Sequence, residues 1–263
     1  MAKNISRRSF LKGASAGAVG VISMGVLSSC APKVNEQVET QAPGASEAGS
    51  LAAPELQGNK YSAADASMNA DVVVVGGGGA GMTAAIRAAQ LGRKVILLEK
   101  NPSTGGTSAF TEGVCGIHSR MQKDAGIEIN DLDLRLKTLD YHHYRSNESL
   151  MDKFYNKSGE TIDWLLDQGI EFALVTALGP SFPTWHLHAK MGLGYVEKLA
   201  EACQRQGVNI LTETPATSLI TEDGKITGVV AKDAAGKEII IAAPAVILAT
   251  GGYANNFDLM TKF

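Results

Sequence analysis

Three glycines, Gly76, Gly78 and Gly81, follow the valine run Val72–Val75, and an acid, Glu99, falls about 20 residues further on at the end of a second apolar run. The pattern G-x-G-x-x-G between a strand and a helix is suited to the pyrophosphate of a dinucleotide. The first glycine permits a tight turn, the second lets the backbone approach the phosphates, and the third lets the helix pack close to the strand. Gly79 and Ala80 complete that turn, where the free N–H groups of a helix N-terminus point at an anion. Glu99 is placed to accept a hydrogen bond from a ribose hydroxyl, with Lys100 beside it. A lone glycine fingerprint carries little weight, but here strand, loop, helix, strand and terminal acid occur in order.

Those residues need a particular scaffold. Val72–Val75 reads as a parallel strand buried on both faces. An Ala-rich helix is expected from about Ala80 to Leu91, ended by Gly92, with the next strand at Val95–Leu98. After Glu99 comes a second glycine-rich loop, "KNPSTGGTSAFTEGVCG", containing Gly106, Thr107, Ser108 and Gly113. Much later "AVILATGGYANN" supplies a strand, Ala245–Ala249, that runs into Thr250 and Gly251. Three glycine segments around one nucleotide fold suit a long ligand whose far end extends past the pyrophosphate, which favours FAD over NAD.

Between these lie Leu150, Phe154, Ile162, Leu165 and Leu166, and then Tyr195, Val196, Leu199 and Cys203, at helical spacing that predicts core-facing helices. Short strands are expected at Val208–Leu211, Ser218–Ile220, Ile226–Ala231 and Glu238–Ala242, with Asp223-Gly224 as a hairpin turn. The fold class is therefore α/β: a Rossmann-like nucleotide-binding domain with a parallel sheet, helices and a β-meander. His186 and His188, and the pair His142 and His143, read as surface or loop histidines, and Trp185 as packing. No metal site is expected, because no H-E-x-x-H or His/Cys cluster supplies enough ligands.

A formal charge of −3 and a pI near 6.0, with no basic stripe, argue against a nucleic-acid binder. Three cysteines, Cys30, Cys115 and Cys203, are too few and too scattered for a disulfide framework. The chain opens with "SRRSFLK" (Ser6 to Lys12) and the uncharged, moderately apolar run "GASAGAVGVISMGVL", the layout of an export signal and shorter than a membrane span. Arg7 and Arg8 in that setting resemble a twin-arginine address. Leu27-Ser28-Ser29-Cys30 resembles a bacterial lipobox, which makes Cys30 the lipidation site. The expected organisation is a signal over 1–30, a flexible linker over 31–69 and an FAD-binding domain over 70–263. The resulting expectation is an exported protein, held by lipid on a membrane face in the periplasm or on the outer face of the cytoplasmic membrane.

From Asp71 onward the chain resembles the fumarate reductase/succinate dehydrogenase flavoprotein superfamily. The motifs that carry the likeness are the N-terminal fingerprint, Gly105-Gly106-Thr107-Ser108 with Gly113, the "ETIDWLLDQGIEF" helix, and the tail ending in "AVILATGGYANN". The resemblance implies FAD as cofactor and electron transfer to a carbon–carbon double bond activated by a carboxylate or carbonyl. It places Ala80 and Gly81 at the pyrophosphate, Glu99 at the ribose, and Gly106, Thr107 and Ser108 on the flavin side. Gly113 would lie near the isoalloxazine and Ala216 at the adenine end, with Thr250 and Gly251 closing the site. Two departures stand out. Relatives often carry Gly-Gly where this chain has Gly113-Val114, and the position of a flavin-bonded His in membrane-complex members matches Thr107, which implies non-covalent FAD. In that family the proton donor and substrate clamps come from a capping domain after the "ATGG" strand, so no catalytic residue is assigned and the chain reads as the N-terminal part of a longer enzyme. A small-molecule substrate and a separate electron donor such as a cytochrome are the expected partners. A 3-oxosteroid-dehydrogenase-like flavoenzyme and a tethered flavin-binding electron carrier are the alternatives.

Overall fold

A computed structural model describes residues 61–63, 66–177, 181–254 and 256–262. The expected signal, Cys30 and most of the expected linker lie outside these residues. In chain order the elements are Met68–Asn69 (β1), Val72–Val75 (β2), Gly79–Gln90 (α1), Val95–Leu98 (β3), a 3-10 turn at Gly106–Phe110, and Gly113–Cys115 (β4). Next come Arg120–Asp124 (α2), Asp131–Tyr141 (α3), Glu148–Asp167 (α4), Phe172–Thr176 (β5), Trp185–His188 (β6) and Met191–Arg205 (α5). The last are Asn209–Leu211 (β7), Ala216–Glu222 (β8), Lys225–Lys232 (β9), Glu238–Ala242 (β10), Ala245–Leu248 (β11) and Phe257–Met260 (α6).

The central layer is a parallel sheet in the order β11-β2-β3-β7. β2 and β3 are apolar at every position because each buries both faces. Val74 and Leu97 pack against α1 and α5 through Met82, Ile86 and Leu199, while Val73, Val75, Ile96 and Leu98 pack on Val229, Ala231 and Ile241 of a second sheet. That second sheet, β1-β10-β9-β8, is the expected meander. Its β8–β9 hairpin turns at Asp223-Gly224, both at positive φ (50° and 72°), as a two-residue loop matched to strand twist requires.

Described residues ahead of the boundary expected at residue 70 also pair with the second sheet. Met68 and Asn69 pair in parallel with Ile241 and Ala242. Ahead of them, the Ser62 hydroxyl and the Ala63 N–H both donate to Glu222, at 2.7 and 2.8 Å. A two-residue strand is too short to show alternation, and its bonds are to backbone, so composition does not reveal it.

β4, β6 and β5 form a third, antiparallel sheet in that order. It corrects the reading of two histidines. His186 (0% exposed) and His188 (5% exposed) are on β6 and project to one buried face. Leu150 and Phe154 are 63% and 40% exposed, so the buried stripe of α4 begins at Tyr155 instead.

Candidate dinucleotide-binding site

The candidate site lies at the carboxyl ends of the parallel strands, where ligands sit in open α/β sheets. α1 starts there with Gly78 as an extended N-cap (φ −78°, ψ −176°), with no side-chain cap and no acidic residue in its first turn. The first-turn N–H groups of a helix have no intrahelical acceptors, and the helix dipole makes that end positive. An anion fits what the sequence leaves undone.

Each glycine of the fingerprint has its own constraint. A Cβ on Gly81 would stand 1.8 Å from the Gly76 carbonyl oxygen, so the third glycine is what lets α1 approach the turn after β2. Gly76 has φ +110°, and a Cβ there would meet the Ala249 carbonyl oxygen at 2.3 Å, locking the turn to the end of β11. Gly78 differs: the nearest atom to its hypothetical Cβ is 3.8 Å away, leaving open the space a phosphate would use. The cradle therefore fits a dinucleotide pyrophosphate.

The second glycine loop is bonded to the first. The Gly105 N–H donates to the Gly77 carbonyl at 2.8 Å, and the Gly79 N–H donates to Ser108 Oγ at 3.0 Å. Gly106 and Thr107 are exposed just beyond this junction, and Gly105 and Gly106 both have positive φ. Behind the loop, Gly192 of α5 comes so close that a Cβ would sit 2.5 Å from the Ala109 carbonyl oxygen. Tyr195, one turn on, lies 3.3 Å from the Cβ position of Gly79.

Glu99 is 6% exposed at the end of β3. Its Oε2 accepts the Gly77 N–H at 2.8 Å and its Oε1 accepts the Asn101 N–H at 2.9 Å. A carboxylate has about four lone-pair sites, so capacity for a ribose hydroxyl remains after these two bonds. Its first role, however, is to brace the glycine turn, which spacing alone did not reveal. The Thr214 N–H donates to the Glu99 carbonyl at 2.8 Å, and Ala216 opens β8 two residues later. Lys100, Thr250 and Gly251 line an open cleft of about 740 Å³ with Tyr253, Asn256 and Phe257.

Gly113 stands apart from this cluster, buried on β4, where a Cβ would lie 2.4 Å from the His186 carbonyl oxygen and 3.0 Å from Trp185 Nε1. Trp185 Nε1 is buried without a hydrogen-bond partner among the described residues. On the opposite face, His186 Nδ1 faces the Thr184 carbonyl at 3.3 Å, which makes Nε2 the acceptor for the Ser119 hydroxyl at 2.7 Å. His188 is stacked between Phe172 (centroids 5.2 Å apart) and Tyr195 (4.6 Å), and both its ring nitrogens lack partners among the described residues. Burial pushes His188 down to about 4 and lowers His186 as well. The same cause pushes the Cys203 thiol up to about 12, leaving it an inert core group. The structure thus brings together Gly76, Gly78, Gly79, Ala80, Gly81, Glu99, Gly106, Thr107 and Ser108, with Lys100, Thr250 and Gly251 alongside. Gly77, Asn101 and Tyr195 join them without a sequence signal that would have singled them out.

Comparison with known proteins agrees with this geometry. Residues 71–263 match the family described as FAD binding domain. The chain is 43% identical over 195 residues to a vinyl phenol reductase of Lactiplantibacillus plantarum, covering 73% of this chain and 40% of that protein. It is 30% identical over 200 residues to a fumarate reductase (cytochrome) of Shewanella frigidimarina, covering 73% of this chain and 35% of that protein. Among solved structures it is similar to the open conformation of a flavocytochrome c3 fumarate reductase, with TM-score 0.70, 25% identity, and coverage of 76% of this chain and 36% of that one. The chain spans at most 40% of the length of these two curated relatives.

Proposed function

The chain belongs to the FAD binding domain family, and on that premise we propose that it is the nucleotide-holding part of a flavin-dependent reductase of activated carbon–carbon double bonds. The observation that carries the reading is the uncapped N-terminus of α1 facing open space over Gly78, with a buried acid and a second glycine loop bonded to the same turn. Bound FAD would supply the two-electron chemistry for which no side chain has an equivalent. The curated relatives above are named for reducing vinyl phenol and fumarate, both of which carry an activated double bond.

In this reading the chain's own residues bind and orient. The N–H groups at Gly78 and Ala80 and the α1 dipole hold the pyrophosphate, Glu99 accepts from the ribose, and Ser108 fixes the flavin-side loop while its hydroxyl proton stays available to the ligand. The bond positioning Ser108 comes from the Gly79 N–H. Thr107 has no nitrogen nucleophile to form a flavin bond, so FAD is held without a covalent link. A separate donor protein supplies the electrons. Export through the twin-arginine route and lipidation of Cys30 belong to the same proposal and are supported by Arg7-Arg8 and Leu27–Cys30.

The test is FAD titration of the purified chain, followed by alkene reduction by the whole gene product with reduced methyl viologen as donor. We expect stoichiometric FAD released intact by denaturation, no binding by Gly81→Val, and consumption of 4-vinylphenol or fumarate. Failure of the wild-type chain to bind FAD, or FAD bound with neither alkene reduced, would overturn the reading.

A further inference from the structure

α5 is the floor beneath both glycine loops. Gly192, Tyr195 and Val196 share one buried face of the helix, because residues three and four apart are neighbours on its surface. A Cβ on Gly192 would stand 2.6 Å from the Ser108 carbonyl oxygen, and Val196 Cγ2 lies 3.2 Å from the Cβ position of Gly105. The Tyr195 ring lies 3.3 Å from the Cβ position of Gly79, the first residue of α1. Gly79 is also the residue whose N–H donates to Ser108 Oγ. The place of the Tyr195 ring therefore fixes where the first turn of α1 meets the second glycine loop.

What holds Tyr195 in place comes from outside the cradle. His188, the last residue of β6, stacks on the Tyr195 ring with the two planes 24° apart, and Phe172 of β5 stacks on His188 with the planes 19° apart. Met191, between the two elements, has φ +53°, an uncommon conformation for a residue with a Cβ, and this turn brings the end of β6 against the second turn of α5. Buried polar side chains are normally hydrogen-bonded, yet neither ring nitrogen of His188 has a partner among the described residues. A histidine that makes no side-chain hydrogen bond contributes through its plane. The charged residues at this end of the sheet, Glu112, Glu171 and Lys190, are exposed, and burial alone acts on the titration of the ring.

We propose that His188 is a positioning residue of the FAD site: its ring backs Tyr195 against Gly79 and so sets the spacing between the α1 N-terminus, which takes the pyrophosphate, and the Ser108 loop. The inference rests on the cradle reading above and adds to it a residue that belongs to neither glycine loop. The site takes from His188 a flat ring and not its nitrogens. Phe therefore replaces it in this role, and an aliphatic side chain does not.

Two readouts on the full chain need no turnover: FAD titration at neutral pH, and phosphorus NMR of the bound pyrophosphate. We expect His188→Phe to bind FAD as the wild type does, with superimposable phosphorus resonances. His188→Ala should raise the Kd for FAD about tenfold, equivalent to ~1.4 kcal/mol, and displace the resonances. His188→Leu, which fills the space without a flat ring, should act in the same direction and takes the place of the alanine variant if that one does not fold. Leu134→Ala, in the separate cluster with Ile117, Ile129 and Tyr155, is the control for lost stability alone: it should melt earlier yet keep the wild-type affinity and resonances. Wild-type affinity and resonances in folded His188→Ala or His188→Leu overturn the proposal. So does a His188→Phe variant as weak as the alanine one, which would assign the role to the nitrogens, or a Leu134→Ala variant displaced to the same extent. Failure of the wild-type chain itself to bind FAD would sink the cradle reading and this role with it, whereas wild-type binding with unaltered variants would sink this role alone.

Discussion

Glu99 holds its carboxylate in a place where a charge survives only if it is hydrogen-bonded. Replacing it with Gln keeps the shape but turns one oxygen into an NH₂ that must face the N–H of either Gly77 or Asn101. A donor facing a donor leaves a buried group unsatisfied, at about 1–3 kcal/mol. Glu99→Gln should therefore lower the unfolding free energy by that amount, read as a lower urea midpoint at unchanged slope, and weaken FAD binding in parallel, whereas a purely ribose-binding role would change affinity with stability intact. His188 permits a second residue-scale prediction. Its pKa falls from 6.5 in the unfolded chain to about 4 when buried, so the unfolded state binds more protons between those values. The stability contributed by neutral His188 is fully present above pH 6.5 and is lost as the pH falls toward 4, by roughly 2–3 kcal/mol. His188→Phe, which preserves the stack between Phe172 and Tyr195, should flatten that slope in denaturation curves taken across the range. His186 is shifted the same way and should leave a residual slope.

α4 shows how an element can be set by one close approach. A Cβ on Gly159 would stand 2.4 Å from the Ile117 carbonyl oxygen, so the loop after β4 crosses the helix backbone to backbone. In an isolated helix Gly159→Ala would stabilise by about 1 kcal/mol. Here it should destabilise by roughly 2 kcal/mol or more, since the clash is with backbone and cannot be relieved by a rotamer change; thermal melts of the variant decide the sign. The elements legible in the sequence were those whose surroundings are local. β2, α1 and β3 could be read because a strand, a glycine turn and an Ala-rich helix leave their signals within one stretch, and the β8–β9 hairpin because Asp-Gly fits positive φ. β5 and β6 were not legible. "TWHLH" carries no clean alternation, and the partners that bury its histidines, Ser119, Phe172 and Tyr195, come from three other elements. Leu150 and Phe154 fitted a helical period but fall on the exposed side of α4, because period fixes a stripe's existence and not which neighbour covers it. The glycine cradle was visible residue by residue, while the bracing bonds from Gly77, Asn101 and Thr214 are made by backbone and leave no trace in residue type.

At the scale of the whole molecule, the candidate site joins segments far apart in sequence: the turn after β2, the end of β3, the loop around Ser108 and the end of β11 meet only once the three layers have packed. A ligand that bridges them binds the folded state alone and stabilises it by mass action, about 2.7 kcal/mol at a concentration 100 times Kd. Gly81→Val should lose this increment entirely, because the displaced α1 can no longer present its N-terminus to the ligand. The proposed twin-arginine route makes that loss visible in the cell, since such a route carries folded chains. Fractionation should find the wild-type chain on the outer face of the membrane, while Gly81→Val and the Arg7→Lys/Arg8→Lys pair both remain in the cytoplasm, one for want of a completed fold and the other for want of an address. Cys30→Ser should be exported with FAD bound but recovered free of the membrane, because removal of the acyl chains takes away the only stable attachment the proposal provides. Export of Gly81→Val at the wild-type level would separate cofactor loading from transport, and a membrane-bound Cys30→Ser would place the anchor elsewhere in the chain.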